Sequence, residues 1–222
     1  TSDRDAAIEH AQKFIAMGIL VEEFLDGQEV SLFFLSDGTS VIPLTPAQDF
    51  KRAYDNDEGP NTGGMGTFSP LSWLSNDVVT QVEDQMVKPV AKALLDDRIS
   101  YRGILFTGVM VTPDGPKCIE YNVRFGDPET QTIMRRLGSG LANLLMQASL
   151  GEPIPAIAVN NQSAITVALA SGGYPGDYKK GLPIKIGTLA PSIKLFHAGT
   201  AMLDDQLVTN GGRVLGVSAV GP

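Results

Sequence analysis

The sequence predicts an α+β protein. A larger unit, an antiparallel sheet flanked by helices, is followed by a smaller, mostly β unit. Three observations predict it. Apolar-rich runs over 19–25, 29–35 and 40–44 are divided only by Asp26-Gly27 and Ser36-Asp37-Gly38, the pattern of an antiparallel meander. Apolar residues recur at helical spacing over 78–94 and again over 141–150. After Gly151-Glu152-Pro153-Ile154-Pro155 the texture changes to brief strand-like runs broken by Gly, Pro and Asp. The expected divisions are a leading helix within 1–18, a main unit over 19–150 and a β-rich unit over 151–222.

Each element has a local reason. Ser2 or Asp3 can cap a first helix whose apolar stripe is Ala7, Ile8, Ala11, Phe14 and Ile15, with Gly18 ending it. Ile19–Leu25 reads as a strand joined by a loose hairpin to Glu29–Leu35, and Ser40–Leu44 follows as a third strand. Residues 45–70 are polar and rich in Gly and Pro, and read as a long loop. Within it, Asn61-Thr62-Gly63-Gly64-Met65-Gly66 offers consecutive N–H groups with little side-chain obstruction. By itself that run fits either an anion-wrapping nest or a plain flexible turn.

A helix starts near Ser75 or Asn76 and buries Val78, Val79, Val82, Met86, Val90, Ala93 and Leu94, with Pro89 as a kink. Gly103–Val111 is apolar on both faces, as a central strand is. Thr112-Pro113-Asp114-Gly115 is a type I turn sequence. A helix from Pro128 to about Leu137 pauses at Gly138-Ser139-Gly140 and resumes over Leu141–Leu150. Strands are expected at 164–170, 194–197 and 213–220.

The stretch after the turn carries the chemistry. Cys118 to Arg124 alternates as a strand, so Ile119, Tyr121 and Val123 share one face and Glu120, Asn122 and Arg124 the other. A carboxylate, an amide and a guanidinium in one row are costly to bury unpaired. They suit a divalent cation with hard oxygen ligands and a polyphosphate beside it. A solvated strand edge would carry the same residues. In Gly126-Asp127-Pro128-Glu129, Asp127 reads as an N-cap, Pro128 as the first helical residue and Glu129 as a first-turn acid. Cys118 is expected on the Glu120 side as a packed, inert thiol, and His197 as a structural histidine.

Composition narrows the partners. The chain has 222 residues, 43% hydrophobic and 19% charged, with a formal net charge of -8. No basic cluster marks a nucleic-acid or anionic membrane surface, so neither partner is expected. No apolar run reaches the length of a membrane span, and no signal-peptide pattern is present. A single cysteine excludes an internal disulfide and fits a reducing, cytoplasmic location. The start without Met reads as a fragment boundary.

Three segments taken together go further: VEEFLDGQE at 21–29, GPNTGGMGTFSP at 59–70 and IEYNVRFGDPETQ at 119–131. SGGYPGDYKKG at 171–181, FHAGT at 196–200 and VTNGGRVLGV at 208–217 agree with them. The set closely resembles the glycinamide ribonucleotide synthetases, a family of the ATP-grasp superfamily, from the first helix to the last strand. The Gly-rich segment and the Arg-Phe-Gly-Asp-Pro-Glu run are specific to that family, whereas Glu-Glu-Phe-Leu recurs across ATP-grasp enzymes.

The resemblance implies an ATP-grasp-type antiparallel sheet with flanking helices, followed by the β-rich C-terminal domain. Residues 1–18 would be the tail of the lid and 19–150 the C-terminal part of the catalytic domain. It implies that ATP phosphorylates glycine to an acyl phosphate, which the amine of 5-phosphoribosylamine attacks to give glycinamide ribonucleotide. ATP and Mg²⁺ (or Mn²⁺) would be the cofactors, and glycine and 5-phosphoribosylamine the small-molecule partners. Glu22, Glu23, Leu25 and Glu29 would hold the nucleotide, Glu29 through the ribose hydroxyls. Glu120 and Asn122 would be the metal ligands. Asn61, Thr62, Gly63, Gly64, Met65 and Gly66 would bind substrate, with Lys51 and Arg52 as phosphate partners. Arg124, Asp127 and Glu129 would complete that pocket as its catalytic residues.

Family members begin with a doubly wound domain and a lid whose lysines hold the ATP phosphates. These segments are missing here, so the chain is expected to be partial and inactive alone. Another ATP-grasp carboxylate–amine ligase, or a non-catalytic nucleotide-binding piece, remains as an alternative.

Overall fold

A computed structural model describes residues 3–222. Its first sheet has the order β2-β1-β5-β6, formed by β1 (Gln28–Ser36), β2 (Val41–Pro43), β5 (Gly103–Thr112) and β6 (Gly115–Asn122), all pairs antiparallel. The inner strands β1 and β5 are mostly buried, because both faces of the sheet are covered. On one face Val30, Leu32, Phe34, Leu105 and Val109 pack on Val82 and Val87 of the long helical segment. That segment comprises α2 (Asn76–Val82), a π-helical turn (Glu83–Val87) and α3 (Lys88–Asp96). Ser75 caps it by accepting from the Val78 N–H. The π turn sits just ahead of Pro89, where the missing N–H is accommodated.

On the other face Phe33, Leu35, Ile104 and Phe106 pack on Ile133 and Ala148. These belong to α4 (Glu129–Ile133) and α5 (Leu141–Leu150). Odd-numbered residues of β1 therefore share the α4 side, and this places Glu29 and Ser31 there.

A second, five-stranded sheet has the order β3-β4-β7-β11-β8. It joins β3 (Gln48–Tyr54) and β4 (Glu58–Ser69) to β7 (Ser163–Ala170), β8 (Ile193–His197) and β11 (Arg213–Gly221). A hairpin of β9 (Thr200–Leu203) and β10 (Gln206–Thr209) stands apart. Its two turn residues, Asp204 and Asp205, both have positive φ, as a tight hairpin requires. The second sheet thus crosses the boundary expected at 150/151. No described helix is long and apolar enough to cross a membrane.

Several local expectations are corrected. Residues 19–27 form no strand, and Leu20, Val21 and Phe24 are 82%, 83% and 79% exposed. Apolar alternation supplies a face but not a partner, and no described strand lies alongside. The hairpin from Ile19–Leu25 into Glu29–Leu35 is therefore absent, and β1 pairs with β2 and β5 instead.

Residues 45–70 are no loop but the β3–β4 hairpin, held on its far side by β7. The first helix, α1 (Arg4–Phe14), is capped by Asp3, and its expected stripe buries nothing; Ser2 lies outside the described residues. The link after α5 is irregular as expected, though Ile154 tucks into the core.

Candidate active site between the two sheets

The site is built where the α4 side of the first sheet meets β3 and β4. β6 ends at Asn122, so Val123 and Arg124 lie in a bend beyond it. The register slips at Ile119: Glu120 pairs with Gly108, but Cys118 pairs with Val109. This bulge turns Cys118 to the opposite face from Glu120, correcting the expected placement. Cys118 joins Tyr121, whose hydroxyl donates to the Met86 carbonyl at 3.1 Å. Glu120 and Asn122 keep the α4-side face, and the Asn122 amide donates to Glu120 Oε1 at 3.1 Å. Arg124 does not join that row; its guanidinium donates to the neighbouring Phe125 carbonyl at 2.9 Å.

Across the cleft β3 alternates. Asp49 and Lys51 face the first sheet, whereas Phe50, Arg52 and Tyr54 line a hollow of about 550 Å³ on the other side, with Met65 and Val167. Lys51 Nζ makes an ion pair with Glu29 Oε1. Burial pulls the Lys51 pKa down, but that contact and the charges of Glu29, Asp49 and Glu120 outweigh it and hold the pKa above its usual value. Lys51 is thus the cation among three carboxylates. Arg52 points away and donates to the Gly59 carbonyl at 2.8 Å.

Asp49 is the unexpected member. Burial first, and then the nearby Glu129 charge, push its carboxyl up to about 8, against the smaller pull of Lys51. Its Oδ1 is buried with no hydrogen-bond partner. The facing Gly64 has φ +106, and a Cβ there would strike Pro128 Cδ and lie 2.7 Å from Asp49 Oδ1. Only glycine fits.

Glu129 is 3% exposed and accepts from Ser31 Oγ at 2.9 Å, so it is no solvated first-turn acid. A Cβ on Gly126 would collide with its carboxylate, so Gly126 lets Glu129 fold back. Asp127 does not cap α4, whose first turn has no side-chain cap. Instead Asp127 Oδ1 lies 3.3 Å from Arg213 Nη1 and accepts from Gln131 at 3.3 Å. Arg213 and Pro128 hold this turn in a place that a cap would not.

The Gly-rich run is a wide bulge in β4. Phe50 pairs with Gly66 and Arg52 with Asn61, so Lys51 alone stands opposite Thr62–Met65. Thr62 Oγ1 donates to the Lys51 carbonyl at 2.8 Å and accepts from the Gly64 N–H at 3.0 Å. The C-terminal segment supplies the remaining partners: the Gly63 N–H donates to Tyr174 Oη, in the turn after β7, at 3.1 Å, and Arg213 Nη1 of β11 donates to the Gly63 carbonyl at 2.6 Å.

The structure therefore links Glu29, Lys51, Thr62, Gly64, Asp127 and Glu129 through Asp49 and its neighbours. Glu120, bonded to Asn122, lies near enough across the cleft for its charge to act on Lys51. Glu22 and Glu23 are exposed and Leu25 half-buried on the irregular approach to β1. Sequence reading missed Ser31, Asp49, Tyr174 and Arg213. The Asp49/Lys51 alternation was the one available signal.

A sequence profile of the phosphoribosylglycinamide synthetase ATP-grasp (A) domain matches residues 1–130, and one of the C domain of the same enzyme matches 164–222. The chain belongs to the phosphoribosylglycinamide synthetase family. The phosphoribosylamine–glycine ligase of Corynebacterium ammoniagenes is 47% identical over 100% of this chain and 53% of its own length. The trifunctional purine biosynthetic protein adenosine-3 of Gallus gallus is 45% identical over 91% of this chain and 20% of its own. The crystal structure of the Thermotoga maritima phosphoribosylamine–glycine ligase superposes with a TM-score of 0.88 at 34% identity, covering 99% of this chain and 56% of that one. The chain spans about half the length of the bacterial synthetases it matches. The two profiles meet physically in the cleft: Asp49, Gly64 and Glu129 come from the A domain, and Arg213 from the C domain. In this chain, the α+β class and the antiparallel ATP-grasp sheet are as expected.

Proposed function

We propose that the ligase carrying this chain joins glycine to 5-phosphoribosylamine at the expense of ATP, through a glycyl phosphate, giving glycinamide ribonucleotide, ADP and phosphate. The observation that carries this reading is Lys51 held among Glu29, Asp49 and Glu120, beside a glycine bulge open to substrate. Phosphoryl transfer needs charge alignment more than covalent help, and this cleft supplies it without a nucleophilic side chain.

Glu120 and Asn122 fit a divalent metal by donor chemistry. One carboxylate and one amide oxygen are the hard ligands that Mg²⁺ or Mn²⁺ takes alongside phosphate oxygens and water. Among the described residues no cluster of three His, Cys, Asp or Glu side chains competes for the metal. When bound, the metal would neutralise phosphate charge as the γ-phosphoryl group moves to the glycine carboxylate. Glu29, already held by Lys51, would accept from the ribose hydroxyls. The peptide edge at Glu22–Leu25 leads the adenine toward it.

Lys51 screens the carboxylates from incoming phosphate charge. The Gly63–Gly66 bulge and the Asp127–Glu129 turn wall the pocket where the amine displaces phosphate from the acyl carbon, and they limit water there. Arg124 is exposed in the bend beyond β6. Arg52 serves the opposite face, so Lys51 is the phosphate partner of the two.

The test is ADP release by the complete ligase. Release that requires both glycine and 5-phosphoribosylamine, with Mg²⁺ saturating, is the expected result. Release that ignores either substrate overturns the reading.

A further inference from the structure

The glycine bulge is held by Thr62 of its own hairpin and also by two side chains arriving from more than a hundred residues downstream. At Thr62–Met65 the β3–β4 ladder is open, so these peptide groups have lost their strand partners. Tyr174 and Arg213 replace them. Tyr174 Oη accepts from the Gly63 N–H at 3.1 Å. Arg213 Nη1 donates to the Gly63 carbonyl at 2.6 Å and lies 3.3 Å from the Gly64 carbonyl. The same nitrogen reaches the Asp127 carbonyl at 2.6 Å and the Asp127 carboxylate at 3.3 Å.

One guanidinium therefore ties together two segments that are far apart in sequence and packed against each other at Gly64 and Pro128. Both clamping residues are themselves placed by one turn. The Tyr174 ring lies against Gly212, and Ser171 bonds the Gly211 and Gly212 carbonyls at 2.8 and 2.7 Å. Arg213 follows directly.

We infer that Arg213, seconded by Tyr174, is a positioning residue for the ligation: it sets the distance between the Gly63–Gly64 bulge and the Asp127–Glu129 turn, and so shapes the pocket for the two non-nucleotide substrates. Neither residue reaches the Glu29 end of the cleft, where the nucleotide is placed. The effect of removing the clamp is therefore selective. This inference rests on the proposed ligase reading for its kinetic part and on geometry alone for its structural part.

Two measurements separate them. In the complete ligase, Arg213→Gln raises the KM for glycine and for the amine about tenfold or more, while the KM for ATP stays within about twofold. Arg213→Lys restores the charge but not the planar guanidinium that sets Nη1 among four oxygens, and recovers only part of that loss. Tyr174→Phe, which removes one hydrogen bond, gives a smaller rise in the same two constants. In the 222-residue chain, Arg213→Gln speeds amide exchange at Gly63, Gly64 and Met65 about tenfold or more and leaves β1 and β5 unchanged.

An equal rise in all three KM values, or full recovery by lysine, overturns the inference in favour of a purely structural or purely electrostatic role. Unchanged exchange at Gly63 also overturns it. If the wild-type ligase shows no glycine-dependent turnover but the exchange result holds, the functional reading fails and the clamp stands.

Discussion

Two buried ionisable groups in this chain are treated in opposite ways. Arg136 is 8% exposed, and its guanidinium makes four hydrogen bonds, none of them to a carboxylate. It donates to Thr45 Oγ1, to Ser69 Oγ at 2.8 Å and to the Gln162 and Asn160 carbonyls at 2.9 and 3.4 Å. Burial lowers its pKa, but the side chain has no unmade bond of consequence and joins the ends of β4 and β7. Asp49, in the cleft, keeps an oxygen buried and unpartnered beside a second buried carboxylate, Glu129. A polar group that completes its bonds specifies structure; one left incomplete marks a place kept for something else.

The largest expected effect lies on the structural side of that contrast. Arg136→Met removes the donor and leaves two hydroxyls and two carbonyls to find other partners. The cost is on the order of 2–3 kcal/mol of stability, read from urea unfolding of the chain. A neutral result would mean that Arg136 is as expendable to the fold as a surface residue.

The next effect lies in the cleft. Glu120→Gln keeps the shape and removes the charge, leaving stability nearly unchanged because Glu120 faces solvent. In the complete ligase it lowers turnover at least about tenfold, since ~1.4 kcal/mol of transition-state stabilisation suffices for that. It also raises the metal concentration needed for half-maximal rate. Unaltered turnover and metal dependence would remove Glu120 from the site.

The same contrast explains what could be read in advance. β1, β5, the 112–115 turn and the Glu120/Asn122 pair were legible, because each is written in local alternation and turn chemistry. β4 was not. Glu58–Ser69 is too rich in glycine to look like a strand, and its pairing depends on β7, nearly a hundred residues away. The bulge at Ile119 was invisible for a related reason: a register slip is set by the partner strand, and it reversed Cys118 while sparing Glu120.

Glu129 followed a proline and looked like an ordinary first-turn acid. Its burial against Ser31 depends on β1 passing beneath it. The resemblance suggested pocket residues, but Asp49 and Arg213 emerge only when two sheets are brought face to face. Arg52, offered with Lys51 by the resemblance, faces the other side of β3 because of the two-residue period of a strand.

The last expected effect is the most specific to the cleft. In the unfolded chain Asp49 ionises in the ordinary carboxylate range, near pH 4. In the folded chain its pKa is raised to about 8, by burial first and the Glu129 charge second. Between those values the unfolded state has released a proton that the folded state still binds, so stability falls as pH rises. Below the lower value both states are protonated and the penalty vanishes; above the upper one it is constant. The slope is at most ~1.4 kcal/mol per pH unit, and coupling to Glu129 and Lys51 spreads it over a wider range. Asp49→Asn cannot ionise. The urea midpoint of the variant therefore gains on that of the wild type as pH is raised from about 5 to about 8, with the gap closing toward acid. Parallel curves would show that Asp49 titrates normally and that its free oxygen is satisfied in solution. A widening gap, together with slowed turnover in the complete ligase, would mean that the cleft holds a destabilising carboxyl because ligation requires it.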